Sequence, residues 1–285
     1  MIRFGPSGNS QSFYDDGNKT STQAPNWLKQ KGLNAYEYSC GRGYTISLQT
    51  AVKLGEEAEK NGVLISLHAP YYINFANPDE VMKEKSFGYV LKGLEILKAM
   101  RGKHLVFHIA SQGKFLRQEA FELAKIRLME LLKKIDFENE YQGMYLCPET
   151  MGKPLQIGTY QEIIDMCSLH LNLIPTFDFG HINALTGGGL KTEEDYLKIF
   201  KYAIEKLGLE KTKHCHIHFS KIEFGAKGEI RHLNYDDMVY GPDFSPLASA
   251  IKKLGLTPTI ICESKDFMAE DALILKNIYE KTPKL

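Results

Sequence analysis

VLISLHAPYYINFANPDEVMKEKSFGYVLKGLEILKAMRGKHLVFH, residues 63–108, contains one complete strand–helix–strand unit. Val63–His68 is a short, nearly continuous apolar run, as expected of a strand covered on both faces. Glu80–Met100 carries apolar residues at a 3.6-residue period, the mark of a helix with one buried side. His104–His108 then repeats the strand pattern. Two strands joined through a helix lie parallel.

The same alternation runs along the whole chain. Strand-like runs also occur at Ile2–Gly5, Ala35–Tyr38, Met144–Cys147, Leu173–Phe177, His214–Phe219 and Thr259–Cys262. Helical periodicity recurs at Leu48–Lys60, Gln118–Lys134, Gln161–Leu169, Glu193–Leu207, Ser245–Leu254 and Ala269–Glu280. Eight strands in 285 residues predict an α/β fold, a (β/α)8 TIM barrel forming a single domain over 1–285. A doubly wound open sheet is the rival. Such sheets more often carry five or six strands, and no glycine fingerprint follows the first strand here. The run Thr186–Gly189 reads as a loop inside the domain.

Composition narrows the function. Hydrophobic residues make up 43% and charged residues 25%, which excludes a disordered or fibrous chain. Lys plus Arg and Asp plus Glu both total 35, so the chain is not a bulk-basic nucleic-acid binder, though a local basic groove stays open. No apolar run approaches the roughly 18 residues of a membrane span, and the start MIRFGP has no signal-peptide pattern. The five cysteines show no CxxC spacing. A cytoplasmic protein with free thiols is the expectation, with Cys215 and Cys262 in the helix layer and Cys147 facing the barrel interior.

Chemistry collects at the strand ends. The third strand ends at His68, the fourth at His108, the fifth runs into Glu149, the sixth into Asp178, the seventh contains His216 and the eighth ends at Glu263. In a parallel barrel these ends share one face, the face where barrel enzymes place their sites. One such residue is ordinarily a capping or hydrogen-bonded group. Six on six consecutive strands would bury several carboxylates without compensation unless a cation joined them. Imidazoles and carboxylates are ligands for zinc and related ions, and six suggest two ions sharing a bridging carboxylate. His181, in D-x-x-H after Asp178, with Glu229 and His232 from the loop after the seventh strand, offers a third set; a solvated charged loop is the plain alternative for Glu229 and His232. His214, His216 and His218 share one strand face; His216 is the expected ligand, with His214 deeper and His218 nearer the mouth.

The ordered series H-A-P-Y-Y-I-N (His68–Asn74), F-H (Phe107, His108), P-E-T (Pro148–Thr150), D-F-G-H (Asp178–His181), H-I-H-F-S-K (His216–Lys221) and C-E-S (Cys262–Ser264) resembles the endonuclease IV family, the AP endonucleases of the xylose-isomerase-like barrel superfamily. The resemblance implies a di- or trinuclear zinc site, with Mn2+ as another possible ion, and cleavage of DNA 5′ to abasic sites. It implies that His68, His108 and Glu149 hold one ion. Glu149, Asp178, His216 and Glu263 hold a second, and His181 with Glu229 and His232 a third. Glu149 and Glu263 would be the catalytic carboxylates. Arg42, Tyr71, Tyr72 and Lys221 are the candidate substrate contacts. Three features depart from the family pattern. Its D-x-H is here Glu229 with His232 one residue later. Its Asn-rich, Trp-containing loop after strand two is replaced by Tyr38–Tyr44, and its N-D after the strand-seven His by His218-Phe219.

The competing expectation is a divalent-metal sugar isomerase or epimerase of the same superfamily, acting on a small sugar. Such enzymes resemble the chain at Glu149, Asp178, His216 and Glu263 and do not require His68, His108 and His181 together. Zero net charge and six arginines favour the sugar enzyme; the three histidines favour the nuclease.

Overall fold

A computed structural model describes residues 1–283; the last two positions of the expected domain, 284 and 285, lie outside the described residues. Eight parallel strands form the barrel wall: β1 (Arg3–Pro6), β2 (Ala35–Ser39), β3 (Leu64–His68), β4 (His104–Phe107), β5 (Tyr145–Pro148), β6 (Thr176–Asp178), β7 (His216–Phe219) and β8 (Thr259–Cys262). Each falls on a predicted apolar run. The largest difference is at β6, where the run from Leu173 gives a single bridge to Leu146 and no ladder before Thr176. Pro175 has no N–H to donate, which interrupts pairing at that point.

The wall consists of two four-stranded ladders, β2-β3-β4-β5 and β1-β8-β7-β6. Single bridges close it, Ser7 to Glu37 at one seam and Glu149 to Thr176 at the other. A Cβ on Gly5 would lie 1.8 Å from the Ala35 carbonyl oxygen, so β1 and β2 approach this closely only because Gly5 has no side chain.

Helices cover the wall. The one at Glu80–Ala99 starts at Asp79, whose side chain accepts from the Val81 and Met82 N–H groups, and it buries Phe87, Val90, Leu94 and Leu97. Between wall and helices lies the apolar core, where Phe177, Phe179, Tyr196 and Phe200 meet with ring centroids 5.1–6.1 Å apart. Cys215 and Cys262 belong to this core, whereas Cys147 packs with Val106 and Ile174 in a separate cluster. No helix among the described residues is long and apolar enough to cross a membrane.

Three elements depart from a plain strand–helix alternation. A two-residue ribbon pairs Ala110–Ser111 with Gln156–Ile157. A short helix, Phe179–Leu185, follows β6 directly. An antiparallel hairpin, Lys221–Gly225 with Gly228–Leu233, stands where the sequence predicts a loop after β7.

Alternate residues of each strand face the interior. At the N-terminal end, Leu64, His104, Tyr145, Ile174, His214 and Thr259 line a cavity of about 800 Å³. The same parity, two to four residues further along, carries the histidines and carboxylates to the other end.

Candidate metal centre

Glu149 is the hub of the C-terminal end. It is fully buried, just past β5, with Oε2 3.0 Å from His68 Nε2 and 3.2 Å from His108 Nε2. Its Oε1 is 3.2 Å from His218 Nδ1 and 3.3 Å from His181 Nδ1. Among the described residues, four groups offer ligand atoms lying within 4.8 Å of one another: His68, His108 and Glu149; Glu149, Asp178, His218 and Glu263; His181, Glu229 and His232; and, one layer deeper, Glu37, His216 and His218. His68 Nδ1 is 2.8 Å from the Ala69 carbonyl, to which only a protonated nitrogen can bond, so in the neutral ring Nε2 is the nitrogen free to bind a cation shared with Glu149.

The segment D-F-G-H works through a helix cap. Asp178 Oδ1 accepts from the His181 N–H at 2.7 Å, so one aspartate both ends β6 and starts the helix at Phe179. This brings His181 back over the rim, with Nδ1 2.9 Å from the Thr150 carbonyl and Nε2 3.4 Å from Glu229 Oε2. A Cβ on Gly180 would sit 2.7 Å from the Ser220 carbonyl oxygen, so the helix can lie against the base of the hairpin.

The displaced third-site histidine is accounted for by a β-bulge. Regular strand residues i and i+3 face opposite ways, whereas i and i+2 face the same way. In the hairpin Arg231 pairs with Glu223 but Glu229 with Phe224, so Ile230 has no partner position and the register shifts there. The extra residue is absorbed, and Glu229 and His232 both reach His181. His232 Nδ1 is held 2.8 Å from Ser220 Oγ.

The structure corrects four expectations. His218, not His216, joins Glu149, Asp178 and Glu263. The ladder sets Asp178 level with His218 and Thr176 level with His216, so His216 lies one inward layer deeper. Lys221 is turned away from the cavity; its ammonium donates to the Asp237 carbonyl at 2.5 Å and lies 5.0 Å from the Tyr235 ring. Arg42 is exposed beside the cavity and Tyr72 packs on Tyr71 and Tyr89; neither lines it. Tyr71 does line it, over Gly41, where a Cβ would lie 2.5 Å from Tyr71 Cε1.

Two residues are added. Lys153, exposed, contributes the cation in the wall of the roughly 400 Å³ cavity and makes no ion pair among the described residues. Glu37, fully buried on β2, lies against His216 and His218. A lone carboxylate inside the otherwise apolar run Ala35–Tyr38 was the available signal.

Burial disfavours charge on the imidazoles, but the carboxylates outweigh it and draw protons onto them: His68 is raised to about 9, and His181 and His218 are raised as well. Burial raises the Glu149 carboxyl, but the imidazoles of His218, His108 and His181 outweigh it and hold the group well below the usual range. Glu263 is likewise brought down to about 2, with His218 overcoming burial. Asp178 goes the other way. Burial, with Glu263 and Glu149 nearby, pushes its carboxyl up to about 6, and among the described residues its Oδ2 has no hydrogen-bond partner. A buried oxygen without a donor, facing two carboxylates and an imidazole, suits a divalent cation.

A parallel barrel with a histidine–carboxylate rim defines the class of protein. Residues 25–278 match the xylose isomerase-like TIM barrel family, and the chain belongs to it. An uncharacterized protein of Methanocaldococcus jannaschii is 31% identical over 281 residues, covering 99% of this chain and 98% of its own. A probable endonuclease 4 of Bifidobacterium longum is 28% identical over 194 residues, 66% of each chain. Among solved structures, endonuclease IV from Thermus thermophilus superposes with a TM-score of 0.67 at 17% identity, over 98% of this chain and 97% of that one. A D-tagatose 3-epimerase-like protein gives 0.68 at 19% identity, over 99% and 97%. At these identities both structural likenesses describe the fold.

Proposed function

We propose that the chain is a metal-dependent phosphodiester hydrolase that cleaves DNA 5′ to abasic sites. The observation that supports this most is the linkage of three ligand groups through one carboxylate. Glu149 stands in two groups and touches His181 of the third. The curated endonuclease 4 relative points the same way.

Zinc ions bound by these groups would supply Lewis acidity, lowering the pKa of water and stabilising the attacking and leaving oxygens. Glu149 holds two groups at a fixed separation. Glu263, kept ionised beside His218, is placed to accept a hydrogen bond from the attacking water and orient it. Lys153 meets the substrate's phosphate charge, and Tyr71 offers a ring face at the mouth for an unstacked nucleotide.

A sugar isomerase or epimerase is the competing reading, favoured by the modest cavity of about 400 Å³ and by epimerases of the same fold. It needs one ion and uses Glu149 and Glu263 for proton transfer. The deciding experiment gives zinc-loaded protein a duplex with one abasic site and, separately, a panel of ketoses. Cleavage 5′ to the lesion that Glu149→Gln abolishes supports the hydrolase. An uncut duplex together with ketose interconversion overturns it.

A further inference from the structure

Below the rim, a column of polar side chains runs down the barrel axis, and the proposed reaction does not use it. Glu37 is its centre. Its Oε2 accepts from Ser66 Oγ at 2.8 Å and from His216 Nε2 at 2.9 Å. Its Oε1 is 2.9 Å from His218 Nε2, but the ring N–H is angled away from it, and among the described residues neither atom has a hydrogen-bond partner. His216 Nδ1 is in turn 3.1 Å from His104 Nδ1, and His104 borders the cavity at the opposite end. Glu37, His216 and His218 are all fully buried.

This arrangement limits how His218 can present itself. Its ring has two nitrogens, one 2.9 Å from Glu37 Oε1 and the other facing Glu149, Asp178 and Glu263. A buried carboxylate oxygen with no other donor demands a proton from the nitrogen next to it. With the proton on Nε2, the Nδ1 lone pair points at the three rim carboxylates. A neutral imidazole with the opposite tautomer would set a lone pair against Glu37 and a proton against the cation position. Ser66 and His216 hold Glu37 itself, so the carboxylate cannot swing away.

We infer that Glu37 is a positioning residue. Acting through His218, it selects the ring nitrogen that binds the second cation and raises that nitrogen's basicity. This rests on the metal-centre reading above and goes beyond it by adding a residue that touches neither cation nor substrate. Glu37→Gln breaks the arrangement at one point, because an amide has one acceptor oxygen and must turn N–H groups toward a neighbour that is already a donor. Glu37→Asp keeps the charge and is the conservative rescue.

The test uses the full chain loaded with 113Cd and labelled with 15N at histidine, alongside zinc titration against a chelator. In the wild type, cadmium should couple to His218 Nδ1 while Nε2 keeps a slowly exchanging proton. Glu37→Gln should weaken the ion held by His218 about 10- to 100-fold and change the one at His68 and His108 less than about threefold. Glu37→Asp should restore part of the loss. Cadmium coupling to Nε2, a Nε2 without a proton, an ion lodged between Glu37 and His216, or unchanged affinities in Glu37→Gln would each overturn the inference. The wild-type spectrum decides it even if the variants fail to fold. Failure of the rim to bind any ion would sink the metal-centre reading instead, so the two failures are distinguishable.

Discussion

Gly152 tests the third ligand group without touching a ligand. It lies in the loop after β5, and the Glu229 N–H donates to its carbonyl at 2.9 Å, so the hairpin docks on this residue. A Cβ built there would stand 2.8 Å from Glu229 Cβ, 3.0 Å from Glu229 Oε2 and 3.0 Å from His181 Cδ2. Gly152 does not have a positive φ, so Gly152→Ala strains no backbone dihedral, and the crowding is borne by the two side chains. To reach ordinary contact at about 3.4 Å, His181 must shift by about 0.4 Å and Glu229 by about 0.6 Å, while ligand positions in a metal site tolerate about 0.2 Å. His181 cannot yield easily, since its Nδ1 is tied to the Thr150 carbonyl. The expected result is a 10- to 100-fold weaker third ion, about 1.4 to 2.8 kcal/mol, with the two groups that contain Glu149 unaffected. Stepwise zinc removal by a chelator, followed by metal analysis, reads this directly. Metal-free Gly152→Ala should unfold within about 1–3 kcal/mol of the parent. Three ions of unchanged affinity would refute the reasoning, and so would loss of the ion at His68 and His108.

Three more outcomes follow from the same geometry. Deleting Ile230 removes the bulged residue and leaves Glu229 and the histidine two apart on a regular strand, so the variant should keep its full metal content; loss of the third ion would show that the bulge does not serve to align the pair. Lys153→Ala should raise KM for abasic DNA about tenfold with little change in kcat, and lower the salt slope of binding by about one; an unchanged KM removes Lys153 from the substrate path. Burial pushes the Cys40 and Cys167 thiols up to about 12, from about 8.5 in an unfolded chain. The fold therefore favours the neutral thiols. Their contribution is complete below about pH 8.5 and is lost as pH rises from there through 12. The denaturant midpoint should drop between about pH 9 and 11, and a flat profile would contradict this.

The barrel was legible because continuous apolar strands and amphipathic helices have different periods, and the eight strands stand out at Val63–His68 and its counterparts. The rim was legible because parallel strands must end on one face, so strand order alone places His68, His108, Glu149, Asp178 and Glu263 together. The choice between His216 and His218 was not. Both share one strand face, and only the ladder to Asp178 sets their height. The hairpin was hidden for a related reason. Its bulge breaks the two-residue alternation by which a strand is recognised, so Glu229 and His232 read as third-site candidates on a loop and not on a hairpin. Glu37 was missed: a carboxylate in an apolar run was the signal, but its partners are 179 and 181 positions away, and no local pattern connects them. Lys221 looked like a phosphate contact and proved to be an internal prop of the segment after the hairpin.

The most direct measurement is the metal content of the purified chain after exhaustive dialysis against zinc-free buffer, before and after Glu149→Gln. Three ligand groups linked through Glu149 predict about three divalent ions per wild-type chain, with at least two weakened together by the single substitution. A wild type that keeps one ion or none, or a Glu149→Gln chain that keeps all three, would contradict a shared centre.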